Sequence, residues 1–209
     1  MIDLYTWRTP NGRKISILLE ELGVDYTVFP VDIDKGEQHN SLFLGFSPNN
    51  KIPAIVDHEN GMCIMESGAI LLYLCDKYHK FLADDIVERS RITEWLMWQM
   101  GGVGPILGQV HHFTHFNPGL SNYAERRFHA EAIRLYNVLN DRLNGRSFIC
   151  DAYSVADIAC WPWISRYEWQ QIDLKEFPNV RSWYQRILDR KAVQRGYHVP
   201  EHMGSIPPG

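Results

Sequence analysis

The chain has 209 residues, of which 45% are hydrophobic and 22% charged, enough apolar material to bury a real core without disulfides or metal. Its net charge of −4, mixed in sign, argues against the basic footprint that a nucleic-acid partner demands. The opening Met1-Ile2-Asp3-Leu4 lacks a basic segment followed by an apolar stretch, and no apolar run approaches the roughly 18 residues of a spanning helix. The expected location is therefore cytoplasmic, with no membrane partner.

In chain order, Ile2 to Trp7 reads as a strand that ends in the turn Thr9-Pro10-Asn11-Gly12. From Arg13 the apolar positions Ile15, Leu18, Leu19 and Leu22 follow helical spacing, and Gly23 stands where a C-terminal cap belongs. Tyr26 to Val31 reads as a second strand, and a strand-helix-strand unit of this length favours a parallel pair. After the polar stretch from Lys35 to Asn40, Ala54 to Asp57 and Met62 to Met65 form a hairpin through His58, Glu59, Asn60 and Gly61. Ser67 is then expected to cap a helix running through Ile70, Leu71, Leu74 and Tyr78.

Strand signals nearly vanish beyond this point. Helical periodicity marks residues 86–100, 123–144, 154–166 and 178–190, with Gly and Pro clusters between them. The organisation predicted is a mixed α+β domain over residues 1–80, a linker near His79 to Asp85, and an all-helical domain over 86–209. The Pro- and Gly-rich end from Pro200 to Gly209 is expected to be a tail lying on the surface or on a neighbouring subunit.

Cys63, Cys75, Cys150 and Cys160 form no CxxC pair and no zinc spacing, so they read as free buried thiols. The cluster His111, His112 and His115 has no carboxylate or thiol nearby in sequence, and no metal is expected.

Three helix or strand ends in the first domain carry chemical signals. At Thr9-Pro10-Asn11-Gly12, Thr9 suits the N-cap and Pro10 the first helical position, and the helix start favours a negative atom. A thiol redox protein would hold a cysteine here, and this chain has none, so any reactive thiol must come from a ligand. Ionising a cysteinyl thiol at neutral pH requires a drop of about two pKa units, or roughly 2.7 kcal/mol. A helix dipole contributes about 0.3–1 kcal/mol and a hydrogen bond to a charged group about 1.5–3 kcal/mol. One directed donor, the Thr9 hydroxyl or the Asn11 backbone N–H, would close the gap.

Lys51-Ile52-Pro53-Ala54 precedes a strand. A cis bond at Pro53 would turn the Ile52 N–H and C=O toward an extended peptide, and a trans bond would make it an ordinary edge-strand start. At Glu66-Ser67-Gly68, helix N–H groups can hold a carboxylate while Glu66 pairs with an ammonium, the two needs of an amino-acid head group. A capped helix without a ligand explains the same residues.

Together these features resemble the glutathione-binding domain of the cytosolic glutathione transferases, and Ser154-Val155-Ala156-Asp157-Ile158-Ala159 resembles the capping motif of their helical domain. The runs Ser47-Pro48-Asn49-Asn50-Lys51-Ile52-Pro53-Ala54, Glu66-Ser67-Gly68-Ala69-Ile70-Leu71, Gly108-Gln109, His111-His112-Phe113 and Ala159-Cys160-Trp161-Pro162-Trp163 are similar to the bacterial nu-class enzymes. The resemblance fades after about Arg190.

It implies a thioredoxin-like N-terminal domain followed by an all-α bundle, the glutathione transferase fold. It implies glutathione as co-substrate and a glutathione-dependent disulfide reductase acting on small or protein disulfides, and it implies a homodimer. Conjugation to electrophiles, peroxide reduction and a non-catalytic glutathione-binding regulator are the alternatives. The residues implied are Thr9 and Asn11 for catalysis, and Asn11, Gln38, Lys51, Ile52, Pro53, Glu66, Ser67 and Arg127 for glutathione. Gln109, His111 and His112 are implied to line the cleft, whereas Tyr5 and the tryptophans Trp95, Trp98, Trp161 and Trp163 read as packing.

Overall fold

The computed structural model describes residues 1–202 and 204–209. They divide into two compact units, residues 1–82 with 189–206, and residues 83–188 with 207–209.

The first unit is built on a four-stranded sheet in the order β2-β1-β3-β4. Strands β1 (Ile2–Thr6) and β2 (Tyr26–Pro30) pair in parallel, while β3 (Ala54–Asp57) runs antiparallel to both β1 and β4 (Met62–Met65). The parallel pair requires a crossover, which α1 (Pro10–Leu22) supplies. It opens with Thr9 as N-cap and Pro10 in the first turn, and ends at Gly23 in the left-handed region.

Alternation along β1 sends neighbouring side chains to opposite faces. Leu4 and its partner Ile55 are fully buried, as are Leu18 and Leu19 of α1 and Leu71 and Leu74 of α3 (Ser67–Tyr78). On the other face Tyr5 stacks on Phe29 at 4.9 Å and meets Phe46 at 4.4 Å. Phe43 and Phe46 come from α2 (Ser41–Phe46), and Val31, Ala54 and Ile52 complete this smaller cluster. Tyr5 is thus a packed aromatic.

Residues 189–206 belong with this sheet, whereas the sequence boundaries assigned everything from 86 to 209 to the second domain. The reason is α9 (Lys191–Tyr197), which crosses α1 so closely that a Cβ on Gly196 would lie 2.6 Å from the Ile17 Cα. Ser16 Oγ donates to the Gly196 carbonyl at 2.7 Å, and the Arg13 guanidinium lies over the Tyr197 ring at 3.6 Å.

The second unit is helical: α4 (Ile86–Trp98), α5 (Gly104–Val110), α6 (Asn122–Arg142), α7 (Val155–Ile164) and α8 (Pro178–Leu188). π-helical turns at Gln99–Val103 and His111–Phe116 flank α5, where the sequence alone suggested an uninterrupted first helix to Met100. Ser154 and Asp157 form the expected capping box on α7. The buried Asp157 carboxylate also accepts from the Ile149 N–H at 2.9 Å and from Trp183 Nε1 at 2.8 Å, which ties the cap to α8. Trp161 and Trp163 are buried in this core, while Trp95 and Trp98 are half-buried on α4. The terminal residues return to their own chain, since the Tyr184 hydroxyl donates to the Pro207 carbonyl at 2.6 Å. Among the described residues no helix is long and apolar enough to cross a membrane.

Candidate functional site

The sequence-derived residues of the first unit sit at the starts of α1 and α3, in the turn ahead of β3 and in the short 3-10 turn Glu37–His39. The Thr9 hydroxyl accepts from the Gly12 N–H at 3.1 Å, so one lone pair caps α1 while its own proton stays available to a further acceptor. No described residue accepts that proton. Asn11 follows in the first turn and is half-buried. Gly12 is the hinge of this arrangement, because a Cβ there would meet the Trp7 carbonyl oxygen at 2.2 Å and Thr6 Oγ1 at 2.4 Å.

The Ile52-Pro53 bond is cis. β3 begins at Ala54, opposite Tyr5, so the Ile52 amide and carbonyl stand just before the first pair of the ladder. The loop ahead of it is fixed by Ser47, whose hydroxyl donates to the Lys51 carbonyl at 2.9 Å. The Lys51 side chain is exposed.

Glu66 is an exposed non-glycine residue at φ 71°, ψ 115°. Left-handed φ at a non-glycine residue is a strain that persists where function holds it. It occupies the N-cap of α3, and Ser67 is the first helical residue. This corrects the expectation that Ser67 caps the helix. Its hydroxyl instead accepts from Lys14 Nζ at 3.2 Å.

Gln38, in the short 3-10 turn Glu37–His39, has its side-chain oxygen buried without a hydrogen-bond partner among the described residues. A buried acceptor left open demands an explanation, and a ligand donor supplies one. His39 contacts both the Gln38 amide nitrogen at 3.4 Å and the Asn50 amide nitrogen at 3.3 Å, and Asn49 donates to Glu66 Oε1 at 3.4 Å. Sequence reading missed His39, Asn49 and Lys14 as members of this set. Lys14 alone left a trace: it stands on the stripe of Leu18 and Leu22, four and eight residues on, where a charge is out of place.

Arg127 belongs to the other unit. It is exposed on α6 and lines an open groove of about 900 Å³ with Ile106, Tyr123, Arg126 and Phe128. Beside it Arg134 grips Glu131 through two bonds of 2.6 and 2.8 Å, and that guanidinium holds the Glu131 carboxyl below its ordinary range, with Arg127 adding to the effect. Gln109 and His112 are exposed. His111 is not: it is 5% exposed, takes a hydrogen bond from Gln170 Nε2 at 3.0 Å and stacks on Trp163. Burial pushes its pKa down to about 3, so it is a neutral interior residue of the helical unit rather than a cleft wall.

None of the four cysteines is in a disulfide; Cys75, Cys150 and Cys160 are buried as expected, whereas Cys63, on β4, is exposed. Among the described residues no group of His, Cys, Asp and Glu could hold a metal ion.

A Thr-capped helix start without a cysteine, a cis-Pro turn ahead of β3 and an acidic N-cap at positive φ on α3 stand in one small unit, the features expected of a glutathione-binding domain. The profile of the glutathione S-transferase N-terminal domain matches residues 1–76, and that of the C-terminal domain matches residues 109–191. The chain belongs to the glutathione S-transferase family. It is 50% identical to the disulfide-bond oxidoreductase YfcG of Escherichia coli, over 92% of this chain and 93% of that one. Among solved structures, a Pseudomonas putida glutathione transferase with one glutathione disulfide bound per subunit superposes with a TM-score of 0.90. The two are 40% identical, and the match covers 95% of this chain and 91% of that one. A Burkholderia graminis glutathione transferase with two glutathione molecules bound per subunit has a TM-score of 0.90 at 39% identity, over 97% and 89% of the two chains.

Proposed function

We propose that this protein is a glutathione-dependent disulfide reductase whose reacting sulfur is that of bound glutathione. The observation that carries the reading is the start of α1: a thiol-redox helix terminus with no cysteine, where the Thr9 hydroxyl caps through its oxygen and keeps its proton to donate. A glutathione sulfur held there would receive one charge-assisted hydrogen bond in addition to the helix dipole, which together meet the roughly 2.7 kcal/mol needed for a thiolate at neutral pH.

The chemistry is two exchanges. The bound thiolate attacks one sulfur of a disulfide RSSR; the S–S bond breaks and the electron pair leaves on the other sulfur, which takes a proton as RSH. A second glutathione thiolate then attacks the glutathione sulfur of the mixed disulfide, giving glutathione disulfide and a second RSH. Two glutathiones are oxidised and one disulfide is reduced, with no protein cysteine in the sequence of steps.

In this reading Thr9 and Asn11 act at the sulfur, Gln38 and the Ile52-Pro53 turn hold the peptide backbone, Lys51 serves the glycyl carboxylate, and Glu66 and Ser67 hold the γ-glutamyl head. Arg127 is assigned to a second glutathione on the family resemblance. The protein works in the cytoplasm, in keeping with cysteines that form no disulfide, and as a homodimer.

Turnover of 2-hydroxyethyl disulfide by the Thr9→Ala variant tests the proposal. The expected kcat/KM is about 10- to 100-fold lower, the loss of one hydrogen bond to a charged group. An unchanged rate would remove Thr9 from the mechanism. A wild-type protein faster on a haloarene or a hydroperoxide than on the disulfide would overturn the substrate class.

A further inference from the structure

We propose that residues 198–202, which follow α9, form an acid-released strap on the turn that carries Thr9: docked, they hold Arg8 through Glu201, and they let go when His198 and His202 both carry a proton. The strap is read from contacts inside the first unit, and its effect on catalysis rests on the assignment of Thr9 to the sulfur.

The segment is anchored at its start and tied near its end. The His198 and Val199 amides donate to the Arg195 and Gly196 carbonyls at 3.1 and 3.4 Å, which carries the last turn of α9 onward. Arg8 Nη1 donates to Glu201 Oε1 at 2.8 Å, and Nη2 of the same guanidinium reaches Asp34 Oδ2 at 3.4 Å. Trp7 Nε1 donates to that Asp34 oxygen at 3.4 Å as well. Trp7 and Arg8 are the last residues before the N-cap of α1, and the Thr9 N–H turns back to the Trp7 carbonyl at 2.7 Å. Release of Arg8 is therefore felt one residue from the capping hydroxyl.

The trigger is a pair of imidazoles. His198 and His202 face each other with ring centroids 4.0 Å apart and planes at 33°. Two neutral rings can stack in this way, whereas two imidazolium charges at that spacing repel. His198 is half-buried, and its Nδ1 is buried without a hydrogen-bond partner among the described residues. The imidazolium form needs an acceptor at both nitrogens, so charging this ring in place is costly. Burial, His202 and Arg13 together hold His198 below the ordinary imidazole range. The charged side chains around the pair are Arg13 on α1, Arg8 after β1, Asp34 and Lys35 after β2, and Glu201 itself, three cations against two carboxylates. Neutral His198 thus belongs to the docked segment and its protonated form to the released one. Docking is complete above about pH 6.5, the ordinary imidazole value, and is lost as pH falls below it.

The experiment is hydrogen exchange of the full chain at about pH 7.5 and about pH 5, with each rate corrected for the intrinsic pH dependence of amide exchange. In wild type the amides of His198 and Val199 and those of the Trp7-to-Thr9 turn should exchange about tenfold faster at the lower pH, the effect of two like charges in contact near a surface. Those of β3 should keep their protection. His202→Phe leaves a ring against His198 without a charge and should flatten the step. Glu201→Gln should loosen the turn already at the higher pH while His198 and Val199 stay protected. Equal protection at the two pH values overturns the proposal, as does a step that survives undiminished in His202→Phe. A rise shared by β3 is general acid opening and overturns it too. A strap that loosens while the turn does not would overturn the hold on Arg8. None of these measurements uses glutathione, so a Thr9→Ala variant with full turnover would leave the strap standing and remove only its catalytic consequence.

Discussion

Thr9 caps α1 through its hydroxyl oxygen, and the proposed mechanism gives the hydrogen of that hydroxyl a second task. Gly12 is the silent partner of that arrangement. Its missing Cβ lets the first turn of α1 lie against the Trp7 carbonyl, and Gly12→Ala should push that turn outward. We expect a loss of about 1–3 kcal/mol in urea unfolding, as for other overpacked sites, together with weaker glutathione binding. Full stability and full affinity in the variant would show that the turn yields freely. Thr9 and Pro10 were legible as a helix start because capping chemistry acts over three or four residues, whereas Ser67, expected as the cap of α3, is its first helical residue. The reason for Gly12 was not legible, because it depends on where the end of β1 lies after folding. Lys14 and Ser67 meet only through the packing of α1 on α3, which no local pattern encodes.

Among the elements, the sheet was the easiest to read: β3 and β4 have the boundaries expected from alternation and from the Asn60-Gly61 turn. α9 escaped notice because seven residues hold too few turns for periodicity to stand out. Its importance lies in contact rather than length, with Gly196 against the Ile17 backbone and Arg13 Nε donating to the Tyr197 carbonyl at 3.0 Å. Gly196→Val should lift α9 from α1. Hydrogen exchange would report this as faster exchange in both helices, with α6 and α8 unchanged; protection equal to wild type would mean the crossing tolerates a side chain. α5 and the π-helical turns on either side of it were equally hidden, because Gly101, Gly102, Gly104, Pro105 and Gly108 read as a break between helices.

At the scale of the molecule, acid stability should depend on two buried groups of opposite sign. His111 has a folded pKa near 3, below the value of an exposed imidazole, so the unfolded chain binds its proton first as pH falls. Its contribution is complete above about pH 6.5 and is lost as pH drops toward 3, about 2 kcal/mol of it by pH 5. Asp157 is raised to about 6 by burial, partly offset by its hydrogen bonds, and it favours the folded state increasingly as pH falls through that value. Comparing His111→Gln with wild type isolates the first effect: the variant should lose less stability between pH 7 and pH 5 in denaturant titrations. Parallel pH profiles would show that His111 titrates normally. The interleaving of the units carries a different lesson, about synthesis. Residues 189–206 pack into the same body as residues 1–82, so in synthesis that body stays open until the helical stretch between them has been made. The helical middle can settle in the meantime, and a chain cut ahead of α9 therefore injures the unit made before the helices rather than the helices themselves.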